Sequence, residues 1–170
     1  MRSIELTFDP ATEAAFRGEW AALQDAGLPN LGRHPDASNR PHLTLAAGPA
    51  VDLSDPVRAV FAGAGTLPVE LRVSGLVLFR AGTSRFVLAR PLVMTRSLLD
   101  LHSTVLAAAP GAVELTQPDR WTPHVTLARR LTAAQVSDAL EVLGDPPAPG
   151  VCVAARFWNG ETKTLTALTG

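Results

Sequence analysis

Pro41-His42-Leu43-Thr44-Leu45 and Pro123-His124-Val125-Thr126-Leu127 are the two stretches on which the reading of this chain turns. Each sets a histidine and a threonine on either side of one apolar residue, directly after a proline, with the histidines 82 positions apart (124 − 42). Side chains alternate between the faces of a β-strand, so in each tetrad histidine and threonine project together while Leu43, Leu45, Val125 and Leu127 enter a core. Two such strands on one cleft supply two imidazoles and two hydroxyls. An imidazole gives or takes a proton near neutral pH and a hydroxyl donates to an anionic oxygen, a combination suited to in-line displacement at phosphorus. His42, His124, Thr44 and Thr126 are therefore the candidate catalytic residues.

The remaining histidines read differently. His102-Ser103-Thr104 repeats the histidine-x-threonine spacing, but it lies in a helical pattern where residues two apart diverge by about 200° and share no site. His34 falls in a proline-, glycine- and asparagine-rich loop from Leu28 to Arg40, where a solvated ring is the plain reading and a lid over a site the sharper one.

Working outward, strands and helices alternate. Ser3 to Phe8 alternates as a strand, and Asp9-Pro10 then caps a helix carrying Phe16, Trp20 and Leu23 until Gly27. A second helix starts at Asp55-Pro56 and ends near Gly63. Residues 67–78 alternate as one strand and 85–89 as another, which reads as a hairpin around Ala81 to Ser84. A helix from about Thr95 to Ala109 buries Leu98, Leu101 and Val105, and a short strand follows near 113–115. Thr132 and Gln135 have capping-box spacing for a last helix bearing Val136, Leu140 and Leu143. Strands at about 151–158 and 162–168 meet at Asn159-Gly160, a strong short hairpin signal.

Composition narrows the class. At 170 residues and 46% hydrophobic content, the chain can bury one substantial core, which fits one compact domain. No apolar run approaches membrane-spanning length, and no basic-then-apolar leader precedes the first strand, so a cytoplasmic protein is the default expectation. A single cysteine, Cys152, excludes an internal disulfide and a cysteine-rich zinc site, so no metal or cofactor is expected. The net charge of −1 argues against a grip on long duplex nucleic acid and for a small ligand or an RNA terminus. Fourteen of the fifteen basic residues are arginine, and Lys163 in an alternating run is poorly suited to a lysyl-nucleotide ligase intermediate. Oligomeric state is not readable.

The two tetrads, with Trp121-Thr122-Pro123 before the second and Ala128-Arg129-Arg130 after it, resemble the 2H phosphoesterase superfamily. The likeness is nearest to its 2′-5′ RNA ligase / RNA 2′,3′-cyclic phosphodiesterase branch, whose second motif commonly reads Pro-His-hydrophobic-Thr-Leu-x-Arg. This resemblance implies an α+β fold: residues 1–170 as a single domain of two pseudo-symmetric lobes, two mainly antiparallel sheets with outer helices and a central cleft. It implies metal-independent hydrolysis of a 2′,3′-cyclic phosphate on an RNA end or small nucleotide, with His124 as base and His42 as acid. Ligation of a 5′-hydroxyl to a cyclic phosphate is the same reaction reversed. A binding module that keeps the cleft without the chemistry is the alternative.

Substrate-binding candidates are Arg129, Arg130, Phe79, Arg85 and Trp158. Strict alternation sends Arg130 to the face of His124, whereas the family pattern points to Arg129, and a bulge would reconcile the two. Phe79, Trp158 and Trp121 suit a base platform, with core or hairpin packing as the competing role for each.

Overall fold

The computed structural model describes residues 1–33, 36, 38–63 and 65–169, so His34 lies outside the described residues. Among these residues the chain is α+β, with two antiparallel sheets and four α-helices. Strands β1 (Arg2–Phe8), β2 (Leu43–Gly48) and β3 (Val69–Leu71) share the larger sheet with β7 (Gly150–Asn159) and β8 (Thr164–Ala167). Its order is β2-β1-β7-β3, and β8 pairs further along β7. The smaller sheet runs β4-β5-β6, from Val77–Arg80, Phe86–Pro91 and His124–Leu131. The helices are α1 (Pro10–Asp25), α2 (Asp55–Ala62), α3 (Arg96–Ala108) and α4 (Ala133–Val142). Among the described residues no helix is long and apolar enough to cross a membrane.

The helices start where their caps demand. The Asp9 carboxylate accepts from the Ala11 and Thr12 amides and from the Thr12 hydroxyl, and chiefly through that hydroxyl its pKa falls to about 2. Phe16, Trp20 and Leu23 of α1 are buried, as their spacing requires. Thr132 and Gln135 close the expected capping box. Helix α4, however, buries Val136 and Ala139 and leaves Leu140 at 53% exposure, so its inward stripe follows i, i+3 rather than i, i+4. Cys152 lies in the core, and burial pushes its thiol up to about 12.

Three further sequence expectations are corrected. Residues 67–78 are not one strand: β3 joins the larger sheet and β4 the smaller, with the break at Ser74-Gly75. A strand's alternation does not encode which sheet it joins, and glycine, with no side chain to pack, lets the run bend apart there. The stretch near 113–115 forms a 3-10 turn over Glu114–Thr116 rather than a strand. Finally, β7 and β8 do form a hairpin, but Asn159 pairs with Thr164 and so leaves residues 160–163 as the loop. The Asn159 side chain accepts from the Glu161 and Thr162 amides instead of sitting in a two-residue turn.

One irregularity occurs twice. In the β1–β2 ladder the register shifts between Ile4↔Ala46 and Glu5↔Thr44, making Leu45 an extra residue. In the β5–β6 ladder it shifts between Leu88↔Ala128 and Ala89↔Thr126, making Leu127 the extra residue. Both tetrads therefore end on a bulge at their fourth position. The bulge puts two successive side chains inward, and Leu45, Ala46, Leu127 and Ala128 are all fully buried. A second bulge in β6 sets Arg129 and Arg130 opposite Val87 alone, with Arg130 in the left-handed region at φ 64°.

Candidate active site

Strands β2 and β6, each at an edge of its sheet, carry the tetrads and touch one another. Leu43, Leu45, Val125 and Leu127 are buried to 1% exposure or less, while His42, Thr44, His124 and Thr126 are half-buried. The two histidines are held alike. His42 Nδ1 lies 2.8 Å from the Arg40 carbonyl, and His124 Nδ1 lies 2.7 Å from the Thr122 carbonyl. A carbonyl oxygen only accepts, so each Nδ1 carries its proton and donates, and Nε2 is the nitrogen left for proton transfer.

Their surroundings differ. The Phe79 ring packs on His124 with centroids 4.7 Å apart. Burial lowers the pKa of His124 below the ordinary imidazole value, and the positive charges of His42 and Arg129 add to that fall against the Thr122 carbonyl. These surroundings favour the uncharged form of the His124 ring. His42 instead has a carboxylate beside it, with Glu5 Oε1 3.8 Å from its Nε2.

Glu5 and Arg156 sit directly across from one another in β1 and β7, and Glu5 sits across from Thr44 in β2. Directly paired residues share a sheet face, so Thr44, Glu5 and Arg156 form a row beneath His42. Arg156 Nε donates to Glu5 Oε2 at 2.8 Å, and Ser3 Oγ donates to Glu5 Oε1 at 2.6 Å. Arg156 Nη1 also donates to the Ser38 carbonyl at 2.9 Å, tying the loop before β2 to the sheet. Its Nη2 lies 3.4 Å from His42 Nδ1, where two donors meet and no hydrogen bond forms.

A cavity of about 410 Å³ opens beside His42, lined among others by Glu5, Arg129, Arg156, Trp158 and Lys163. Of the sequence candidates, the structure thus brings His42, Arg129 and Trp158 to one cavity and Phe79 onto His124. Thr44 and Thr126 stand in the tetrads two residues after their histidines, on the two touching strands. Arg130 does not line the cavity; the bulge takes it off the face that strict alternation gave it. Arg85 is exposed and its Nη1 donates to the Arg130 carbonyl at 3.4 Å, which braces the bulge rather than the cavity. Among the described residues, no group of three or more histidine, cysteine, aspartate or glutamate side chains is placed to hold a metal ion.

Two indoles fix the tetrad backbones. Trp121 Nε1 donates to the Thr44 carbonyl at 3.0 Å, and Trp20 Nε1 donates to the Thr126 carbonyl at 3.2 Å. Trp121 precedes β6 yet holds β2, and Trp20 follows β1 yet holds β6. Behind Trp121 stacks the buried ring of His102, with centroids 3.7 Å apart and planes 6° from parallel. His102 Nε2 faces the Thr116 carbonyl at 3.0 Å, and burial lowers its pKa. The third histidine therefore supports the site from behind. Trp121→Phe keeps the stack and removes the donor, so urea denaturation should show a loss of about 1 kcal/mol; no loss would mean that water replaces the indole.

Sequence reasoning missed Glu5 and Arg156. The alternation of β1 puts Ser3, Glu5 and Thr7 on one face, and there they are 7%, 5% and 6% exposed. A buried polar triplet on a strand with neighbours on both sides needs partners from elsewhere in the chain, and alternation alone does not name them.

The sequence model of the 2′-5′ RNA ligase superfamily matches residues 10–164, and the chain belongs to that family of 2H phosphoesterases. Membership supports a phosphodiesterase or RNA ligase kind of enzyme. Among curated proteins none matches the sequence. The fold is similar to that of E. coli LigT complexed with 3′-AMP, at 16% identity and a TM-score of 0.54 over 98% of this chain and 92% of that one. It is also similar to TT0787 of Thermus thermophilus, at 17% identity and a TM-score of 0.55 over 98% and 94% of the two chains. For Kluyveromyces marxianus Usb1 with uridine monophosphate the values are 13% and 0.53 over 99% and 97%.

Proposed function

We propose that the chain hydrolyses 2′,3′-cyclic phosphates of small nucleotides or RNA ends by two-histidine acid/base catalysis. The observation that carries this reading is the matched pair of imidazoles, each donating from Nδ1 to the carbonyl two residues earlier and keeping Nε2 to exchange a proton. In this mechanism His124 Nε2 takes a proton from water as the water oxygen attacks phosphorus. His42 Nε2 gives a proton to the departing ribose oxygen as its bond to phosphorus breaks, leaving a 2′-phosphomonoester. Thr44 and Thr126 donate hydroxyl hydrogens to the non-bridging oxygens, and Arg129 balances their growing charge. The lowered pKa of His124 and the carboxylate 3.8 Å from His42 Nε2 favour this division of roles.

The same reading takes residues 1–170 as one cytoplasmic domain of two matched lobes, supported by a tetrad and a following bulge in each half. Ligation is the reverse of the same steps and depends on concentrations.

The experiment is release of phosphomonoester from the four nucleoside 2′,3′-cyclic monophosphates with EDTA present. Turnover under those conditions supports the reading, and none with any mononucleotide or with a cyclic-phosphate oligonucleotide sinks it. The base must be neutral to act, and its pKa is lowered, so the acid limb of the rate profile should fall below pH 6.5. An acid limb above 6.5 would contradict the assignment of His124 as base.

A further inference from the structure

The cavity beside His42 is also lined by residues at the end of β7 and in the hairpin loop after it. Among them are Trp158, Gly160 and Lys163, the single lysine of the sequence. Arg156 reaches His42, and Asn159 at the hairpin's end lies three residues further along β7, about 10 Å at the rise of a strand. That span fits one nucleoside rather than a bare phosphate.

Charge in the cavity is unevenly satisfied. Glu5 is committed to Arg156 and Ser3, and Asp36 Oδ1 accepts from the Ser38 amide at 2.8 Å. Arg129 and Lys163, by contrast, make no hydrogen bond or ion pair among the described residues. Both are exposed, and two open cations lining one cavity leave room for an anion at each. Arg129 acts on His124, so its anion is the reacting phosphate. Lys163 is left without one.

The segment bearing Lys163 is held in place. Asn159 Oδ1 accepts from the Glu161 and Thr162 amides, Thr162 and Thr164 share a hydroxyl hydrogen bond of 2.7 Å, and the Gly160 amide donates to the Met1 carbonyl at 3.0 Å. Lys163 itself lies in the left-handed region at φ 55°, a backbone position that costs a side-chain-bearing residue of order 1 kcal/mol and that recurs at ligand clamps. A compact ammonium on a flexible stem suits a phosphate as a point charge. Trp158, partly exposed and two residues beyond Arg156 on β7, offers a face for the base.

We propose that the Trp158–Lys163 end of the cavity seats a second phosphate, so that the chain takes ligands carrying two phosphates one nucleoside apart. The reacting phosphate sits at the histidines and the other at Lys163. The identity of the first rests on the phosphodiesterase reading; the second is argued from the cavity itself. Such a ligand is either the 3′ end of an oligoribonucleotide or a free nucleoside bisphosphate.

The test is calorimetric binding of adenosine 2′-monophosphate, adenosine 2′,5′-bisphosphate and a diadenylate ending in a 2′-phosphate, to wild type and Lys163→Gln. The bisphosphate should bind wild type about tenfold tighter than the monophosphate, worth about 1.4 kcal/mol, and Lys163→Gln should bring the ratio near one. A ratio near one in wild type, a ratio unchanged by Lys163→Gln, or binding of neither nucleotide overturns the proposal. A diadenylate that matches the bisphosphate identifies an RNA end, and one that binds as the monophosphate does identifies a free bisphosphate; both uphold the second seat. Failure of the phosphodiesterase reading looks different: the ratio and its loss persist while no cyclic phosphate is hydrolysed.

Discussion

Alanine at position 124 is expected to lower kcat for 2′,3′-cyclic phosphate hydrolysis by about 1,000-fold, within the range a positioned general acid or base supplies. His42→Ala should do the same from the other side of the phosphorus. Because water activation and leaving-group protonation belong to one displacement, the double variant should be little slower than either single one. Both rings are half-buried, and their hydrogen bonds end on carbonyls that water can reach once the ring is gone, so the variants should still unfold cooperatively. Retention of more than about a tenth of wild-type kcat in either variant would remove that histidine from the chemistry.

The second large effect concerns stability. Arg156→Met leaves the Glu5 carboxylate, with only 6% of its side chain exposed, without its ion pair, and breaking a buried pair from one side costs about 3–5 kcal/mol. In the double variant Glu5→Leu/Arg156→Met, apolar groups of similar size replace the pair, and most of that loss should be regained. Turnover should not return with it, since His42 then lacks the carboxylate 3.8 Å from Nε2. Urea denaturation and cyclic-phosphate assays on the single and double variants read the two effects separately. A cost below about 1 kcal/mol for Arg156→Met would mean that water screens Glu5, and full activity in the double variant would confine the pair to stability.

What could be read from the chain followed from local periodicity. The tetrads, the cap at Asp9, the box at Thr132 and the buried stripe of α1 each lie within a few residues, and the structure has them where spacing put them. Bulges left a fainter trace. Leu45-Ala46 and Leu127-Ala128 break strict alternation with two inward apolar residues in a row, and that doubling was the signal for a register shift. It also explains Arg129: with an extra residue in β6, the arginine reaches the cavity that simple alternation assigned to Arg130. The partition of residues 67–78 between two sheets, and the meeting of Glu5 with Arg156 across 151 positions, depend on tertiary closure and carry no local signature. Asn159-Gly160 shows the converse, since a correct hairpin signal gave the wrong turn once the asparagine side chain took over the amides of the loop.

The crossed tryptophans bear on how the molecule fails. Each indole spans from one sheet's neighbourhood to the other's tetrad-bearing strand, so parting the sheets releases both donors together. The spacing between the histidines is therefore not a soft coordinate that drifts while the rest holds. Two clasps that open in concert make the loss of alignment between the histidines and the loss of the core a single event, and heating should leave no long-lived species that keeps its core yet has lost that alignment.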